Sequence, residues 1–101
     1  MKLTVLGRYG PFPAPGGACS GYLLESGGVT LVMDLGSGAL GNLLRRVPGL
    51  GLTAVLLSHL HSDHMSDMLV LRYALQQLSA HERPVPMPLT VVSPDEPEVE
   101  F

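Results

Sequence analysis

The distribution of apolar and polar positions along the chain predicts five short strands and two helices. Apolar runs predict strands over residues 3–6, 22–25, 29–33, 53–57 and 89–92. Apolar residues spaced three and four positions apart predict helices over 39–47 and about 67–80. The run 53–57 does not alternate, so we expect that strand to be buried on both faces. Because strands and helices alternate in the second part of the chain, the predicted class is an α/β layered sheet.

Glycine and proline mark where the predicted elements end. The segment Ser26–Gly28 is typical of a hairpin turn, because glycine adopts a positive φ without strain. Turn-forming residues at 34–38 are expected to break the sheet after the third strand. The stretch 7–21 is dense in glycine and proline, which predicts a loop of about fifteen residues. Such a loop is either a surface crossover or a functional segment, and Tyr9 and Ser20 are candidates for lining a pocket.

Composition limits the classes of protein to which the chain can belong. It has 101 residues, of which 46% are hydrophobic and 15% charged, so it can build one core and is not a disordered tail. A formal net charge of -3 argues against a nucleic-acid binder that depends on net positive charge. The single cysteine, Cys19, excludes an internal disulfide and fits a reducing compartment. No apolar run approaches the roughly 20 residues of a membrane span, so we expect a cytoplasmic protein.

The residues with metal-binding chemistry lie within six positions directly after the strand 53–57. His59, His61, Asp63 and His64 bring together three imidazoles and a carboxylate, which are good ligands for Zn²⁺ and similar ions. In an extended backbone residues two apart point to the same side, so His59 and His61 can face one point. After a turn, Asp63 and His64 can face a second point nearby. A surface loop with coincidental histidines is the alternative, but the spacing and the position at a strand end favour a two-metal site.

The segment Ser58–His64 resembles the His-x-His-x-Asp-His signature of the metallo-β-lactamase superfamily of metal-dependent hydrolases. Upstream, residues 31–38 are similar to the strand ending in Asp-x-Gly that precedes the metal motif in that superfamily. Residues 2–7, the Gly/Pro loop and residues 20–24 resemble its ribonuclease Z-like and phosphodiesterase-like branch. The resemblance covers about residues 2–92. It implies an α/β fold that is half of a four-layer αβ/βα sandwich, with a mixed sheet, flanking helices and a dinuclear site.

The resemblance also implies a role for each residue of the motif. His59 and His61 would bind the first metal ion, and Asp63 and His64 the second. His61 and Asp63 are also expected to take part in catalysis. Asp34 would orient the motif by hydrogen bonding, the alternative being an aspartate that caps a turn at a strand end. The expected cofactors are two divalent metal ions, zinc or else manganese, with no organic cofactor.

The superfamily completes its site with residues that this sequence lacks, namely a further histidine on each metal and a bridging aspartate well downstream. His81 is best interpreted as a solvated helix end and the residues after Ser93 as a solvated acidic tail. Residues 1–101 are therefore predicted to form the N-terminal half of a domain whose C-terminal half is absent from the chain. A sheet with helices on one face leaves its other face bare. We expect that face to be covered by the C-terminal half, a second polypeptide or a second copy in a homodimer.

The function that these expectations imply is hydrolysis by a hydroxide held between two metals. Anionic phosphodiesters are the favoured substrates, such as RNA 3′ ends, cyclic nucleotides or small relatives, and no membrane partner is expected. Thioesters, lactones and lactams remain alternatives. Residues 65–68 lack the glycine pair of the lactamase and glyoxalase branches, which argues against a true β-lactamase. A different class also stays open, because the isolated chain could be a non-catalytic metal-binding or assembly module.

Overall fold

A computed structural model describes residues 1–80 and 89–94 and shows a mixed five-stranded sheet with helices on one face. The elements in chain order are β1 (Lys2–Gly7), β2 (Gly21–Ser26), β3 (Val29–Leu35), α1 (Ala39–Arg46), β4 (Ala54–Leu56), α2 (Ser62–Met65), α3 (Met68–Ala80) and β5 (Thr90–Val92). The predicted α/β class is confirmed. None of the helices formed by the described residues combines the length and hydropathy of a bilayer span.

The sheet has the strand order β1-β2-β3-β4-β5 and changes direction in its middle. The first three strands pair antiparallel, whereas β4 and β5 are added parallel to β3. Ser26 pairs with Val29 across a two-residue turn in which Gly27 and Gly28 have φ angles of 51° and 83°. Positive φ at both turn positions matches the right-handed twist of a hairpin, as the glycine pair predicts.

Three local expectations are corrected. The sheet does not break at Asp34, because β3 continues to Leu35. Leu35 pairs with Gly21, and the register of the β2–β3 pair shifts between Gly21 and Tyr22. The predicted strand 53–57 is not buried on both faces: Val55 and Leu57 are buried, while Ala54 and Leu56 are half-buried. The turn expected after His61 is a short helix, α2.

The hydrophobic core lies between one face of the sheet and the helices α1 and α3. Leu23, Val32 and Val55 alternate with the opposite face along their strands and are fully buried. Leu43 of α1 and Leu71 of α3 complete this core from the helical side. The period-two pattern of the strands and the 3.6-residue pattern of the helices thus meet in one layer.

The opposite face of the sheet carries two rows of mostly apolar side chains that run across all five strands. Cross-strand pairing aligns Leu3, Leu24, Leu31, Ala54 and Thr90 in one row and Val5, Tyr22, Met33, Leu56 and Val92 in the other. Leu3, Val5 and Val92 are 60%, 56% and 53% exposed. Neither row contains a charged side chain. We call these two rows the open face.

Replacing a leucine by alanine should cost much more stability on the core face of the sheet than on the open face. Leu23→Ala should lower the free energy of unfolding by about 2–5 kcal/mol, because it removes methyl groups from the core and leaves a cavity. Leu3→Ala, on the adjacent strand of the open face, should cost less than about 1 kcal/mol. Urea unfolding followed by circular dichroism measures both values. Equal losses would show that the open face is packed as tightly as the core.

Candidate metal centre

The candidate metal residues lie at the carboxyl edge of the parallel strands β3 and β4. Met33 pairs with Leu56, so the residues that follow each of them leave the sheet side by side. Asp34 stands near the end of β3, and Ser58 follows β4 by two residues. In layered α/β proteins this edge is where ligands bind.

Asp34 ties this edge together through its buried carboxylate, which is 4% exposed. Its Oδ1 accepts a hydrogen bond from the backbone N–H of Ser58 at 2.7 Å, and its Oδ2 accepts one from Ser58 Oγ at 2.6 Å. Its Oδ2 also lies 3.0 Å from His64 Nδ1. Asp34 adopts a φ of 61°, a left-handed conformation that aspartate tolerates better than most residues. The carboxylate therefore joins β3, the segment after β4, and α2.

The hydrogen-bond chain through Asp34 sets the tautomers of two histidines. An ionised carboxylate can only accept, so His64 donates from Nδ1. Ser58 Oγ gives its one proton to Asp34, so it can only accept from His59 Nδ1, which lies 3.1 Å away. Both imidazoles thus carry a proton on Nδ1. That leaves Nε2 as the ring nitrogen through which each imidazole can bind a metal ion.

The motif side chains cluster beyond this network. The ring centroid of His59 lies 5.0 Å from that of His64 and 5.7 Å from that of His61. Asp63 Oδ2 lies 3.4 Å from His64 Nε2. Two ligands bound at zinc distances in tetrahedral geometry are separated by about 3.3 Å. Asp63 and His64 therefore fit a shared zinc ion in both chemistry and spacing.

The donor set in the described part of the chain is incomplete. Among residues 1–80 and 89–94, no group of three or more His, Cys, Asp or Glu side chains is arranged to hold one ion. The sequence interpretation assigns two ligands to each of two ions, so neither pair reaches the three protein ligands of a typical catalytic zinc site. His81 lies outside the described residues, as does the acidic tail from residue 95 onward.

The short helix α2 places Asp63 and His64. The helix begins directly after His61, so Asp63 and His64 leave the extended segment and return toward Asp34. Asp67, which directly precedes α3, accepts a hydrogen bond at Oδ2 from the backbone N–H of Leu40 at 2.9 Å. It thus caps α1, whose own N-cap Gly38 has no side chain for that purpose. Sequence reasoning missed this role, although a glycine N-cap signals that a cap must come from elsewhere.

The Gly/Pro loop lies beside the cluster. Of the two loop residues expected to line a pocket, Tyr9 lines a shallow surface cavity with Arg8 and Asn42, and both loop residues also have structural contacts. The ring of Tyr9 lies against Gly17 and below the guanidinium of Arg8, whose carbon is 5.1 Å from the ring centroid. The carbonyl of Ser20 accepts a hydrogen bond from Gly36 N–H at 2.8 Å. These contacts hold the two arms of the loop in place.

Cys19 is fully buried beside this edge of the sheet. Burial raises the pKa of its thiol, the negative charge of Asp63 adds to that shift, and a backbone hydrogen bond from Ser37 opposes it. A raised pKa keeps the thiol protonated near neutral pH, where the thiolate is the nucleophile. Cys19 therefore behaves as a small buried hydrophobic residue, as the sequence indicates.

Comparison with known proteins gives a family match over most of the chain. The model of the metallo-beta-lactamase superfamily matches residues 14–97. "Probable metallo-hydrolase YhfI" of Bacillus subtilis is 50% identical over 76 residues, which are 75% of this chain and 31% of that protein. A ribonuclease Z of Mycolicibacterium paratuberculosis is 35% identical over 98 residues, which are 93% of this chain and 33% of that protein. The chain thus spans about a third of the length of these curated relatives.

Two solved structures share the fold. The crystal structure of the metallo-beta-lactamase fold protein YhfI from Bacillus subtilis matches 92% of this chain and 37% of its own, with a TM-score of 0.86 and 42% identity. The short form of human tRNase Z matches 92% of this chain and 44% of its own, with a TM-score of 0.63 and 19% identity. The second similarity is one of fold.

The Asp34 network predicts how substitutions at that position rank. Asp34→Ala should lower the free energy of unfolding by at least about 2 kcal/mol, because three donors lose a charged acceptor. Asp34→Gly removes the same carboxylate but accepts the positive φ, so it should be about 1 kcal/mol less damaging than Asp34→Ala. Urea titration of the metal-free chain measures both. An Asp34→Ala variant as stable as the parent would contradict the assigned network.

Proposed function

Because the chain belongs to the metallo-beta-lactamase superfamily, we propose that it supplies the metal-binding part of a metal-dependent hydrolase. The observation that carries this proposal is the hydrogen-bond chain from Asp34 through Ser58 to His59 and directly to His64. It leaves Nε2 of both imidazoles as the nitrogen that can bind a cation, and Nε2 of His64 lies 3.4 Å from Asp63 Oδ2. A surface loop with coincidental histidines has no need for such an arrangement.

In this proposal His59 and His61 hold one divalent ion, while Asp63 and His64 hold the other. Zinc is favoured because imidazole and carboxylate suit it, and manganese is the alternative. The chemistry that such ions supply is a water of lowered pKa and a positive field for a negatively charged transition state. The chain's own contribution is orientation: Asp34 holds the proton of His64 at Nδ1, and Ser58 holds that of His59 at Nδ1. In this proposal His61 and Asp63 also take part in catalysis.

The favoured substrates are phosphodiesters. Support comes from the relative named ribonuclease Z, which matches nearly the full length of this chain, and from the fit of two cations to an anionic substrate. The name of the other relative, metallo-hydrolase, does not say which kind of bond is cleaved. Hydrolysis of thioesters or lactones is therefore the competing reaction. A panel of these substrates with the complete protein distinguishes them, and turnover of carboxylic esters without turnover of phosphodiesters would reject the favoured class.

The incomplete donor set favours a site completed by residues outside this chain. Two ligands per ion give poor affinity and poor catalysis, so by itself the 101-residue chain could act as a metal-binding or assembly module. The open face supports the same view, because a large apolar sheet face is stable only when covered. We propose the C-terminal half of the same domain as its cover, whereas a second polypeptide or a second copy would appear as a change in assembly state.

Zinc titration of the 101-residue chain tests the metal function. The parent should bind zinc, and His61→Ala should weaken that binding at least about tenfold, since it removes a proposed ligand. His59→Ala and His64→Ala should behave in the same way. His81→Ala is the matched control, because it removes the chain's remaining histidine without touching the motif. Competition with a chromophoric chelator gives the affinities, and circular dichroism checks that each variant is folded.

The same variants test the reaction. Any hydrolysis of a chromogenic phosphodiester by the chain should disappear in His61→Ala and persist in His81→Ala. Activity that His61→Ala leaves intact would remove the metal mechanism. Zinc binding without hydrolysis would favour the non-catalytic module for the isolated chain.

A further inference from the structure

The Gly/Pro loop reaches the metal centre at Gly10. A Cβ placed on Gly10 with standard geometry would lie 2.7 Å from Asp63 Oδ2 and 3.7 Å from Asp63 Cγ. Real Cβ atoms do not approach other atoms at 2.7 Å, so an added methyl group would displace the carboxylate. Asp63 Oδ2 is also the oxygen that lies 3.4 Å from His64 Nε2. The contact therefore involves the atom that the proposed function assigns to the ion.

The need for glycine at this position is steric. The φ of Gly10 lies outside the left-handed region, so its backbone conformation is open to other residues. This distinguishes Gly10 from Gly16 in the same loop, which has a φ of 75° and open space around it. The sequence pattern alone does not separate the two kinds of glycine.

The loop is held so that Gly10 cannot easily move away. The backbone N–H of Tyr9, next to Gly10, donates to the carbonyl of Ala18 at 3.0 Å. The N–H of Cys19 donates to the carbonyl of Ser37 at 2.8 Å, which ties the returning arm of the loop to the segment after β3. A side chain at position 10 would therefore push on Asp63 more than on the loop.

Asp63 is confined on its other side as well. A Cβ on Gly36 would collide with the backbone carbonyl oxygen of Asp63 and lie 2.6 Å from Cys19 Cβ. Gly36 thus fixes how closely the backbone of Asp63 approaches β3, while Gly10 borders its carboxylate. The two glycines enclose Asp63 from the backbone side and the side-chain side.

We propose that Gly10 is a positioning residue for the metal centre: its missing side chain leaves the space in which Asp63 Oδ2 faces His64 Nε2. The proposal rests on the proposed function, since it takes Asp63 and His64 to share an ion. It also gives the Gly/Pro loop a role, as a wall of the metal centre. Gly10 acts through Asp63, so its effect must vanish when the Asp63 carboxylate is removed.

Zinc affinity in a double-mutant cycle tests this dependence. Gly10→Ala should weaken zinc binding by about 10- to 100-fold, the range found when the support of a ligand is disturbed. Gly51→Ala is the matched control, because Gly51 is exposed, lies in a loop and has open space where a Cβ would stand. In an Asp63→Ala background, Gly10→Ala should cause no further loss. An unchanged affinity in Gly10→Ala, or the same fold loss in both backgrounds, would overturn the proposal.

Disulfide trapping tests the geometry without metal. The Cβ position of Gly10 lies 4.0 Å from Asp63 Cβ, within the range of about 3.5–4.5 Å that disulfides span. In a Cys19→Ala background, Gly10→Cys with Asp63→Cys should lose both free thiols on mild oxidation. Gly51→Cys with Asp63→Cys should keep them, because Gly51 precedes β4 and Asp63 follows it.

The outcomes separate the two proposals. If the parent binds zinc and the 10–63 cross-link fails to form, the positioning role falls and the metal function stands. If the parent binds no zinc, the metal-binding function proposed for the 101-residue chain falls, and the positioning role of Gly10 falls with it. Folding of Gly10→Ala is checked by thermal unfolding of the metal-free chain, in which its midpoint should match that of Gly51→Ala within a few degrees.

Discussion

The hydrogen bonds that converge on the Asp34 carboxylate organise the candidate site. They connect three segments that are distant in sequence: the end of β3, the residues after β4 and the helix α2. A buried carboxylate is costly unless its oxygens are satisfied, and here Ser58 and His64 supply donors to both. The same bonds that stabilise the buried charge also orient two imidazoles. Fold stability and metal-binding competence thus depend on one side chain.

Two properties of residues 1–80 and 89–94 lead to the same requirement. One is an exposed apolar sheet face, and the other is a set of metal donors with no group of three arranged around one point. The face lacks charged side chains across five strands, and the described cluster lacks further donors. A second layer packed on the sheet could meet the first need, and residues carried to the same edge could meet the second. The two curated relatives are about two and a half to three times as long as this chain, which leaves room for both.

Much of the fold and the centre of the site were predictable because they follow from local patterns. Apolar runs predicted the five strands, 3.6-residue spacing predicted the two longer helices, and the glycine pair predicted the hairpin turn. The motif His59–His64 was visible because scarce residue types stand close together in sequence. Its assignment to metal binding remains a prediction, which the geometry of Asp63 and His64 supports.

What the sequence could not predict depends on contacts between distant segments. Asp34 has a left-handed backbone conformation, yet β3 continues past it, and Ser58 and His64 hold its carboxylate. The side chain of Asp67 caps α1 across 27 positions of sequence, while its backbone carbonyl accepts a hydrogen bond from Leu71 N–H of α3. Gly10 is distinguished from the other loop glycines by its approach to Asp63. Spacing within one segment contains none of this information.

The position of the ring proton on His64 tests the hydrogen-bond network of Asp34 and the metal-binding role that depends on it. Two-bond ¹H–¹⁵N correlation spectra of the metal-free chain, assigned by comparison with His64→Ala, report which ring nitrogen carries the proton. Because Asp34 accepts a hydrogen bond from His64 Nδ1, we expect that nitrogen to carry a proton. A His64 ring protonated at Nε2 and bare at Nδ1 would contradict the Asp34 network and the metal-binding role that rests on it.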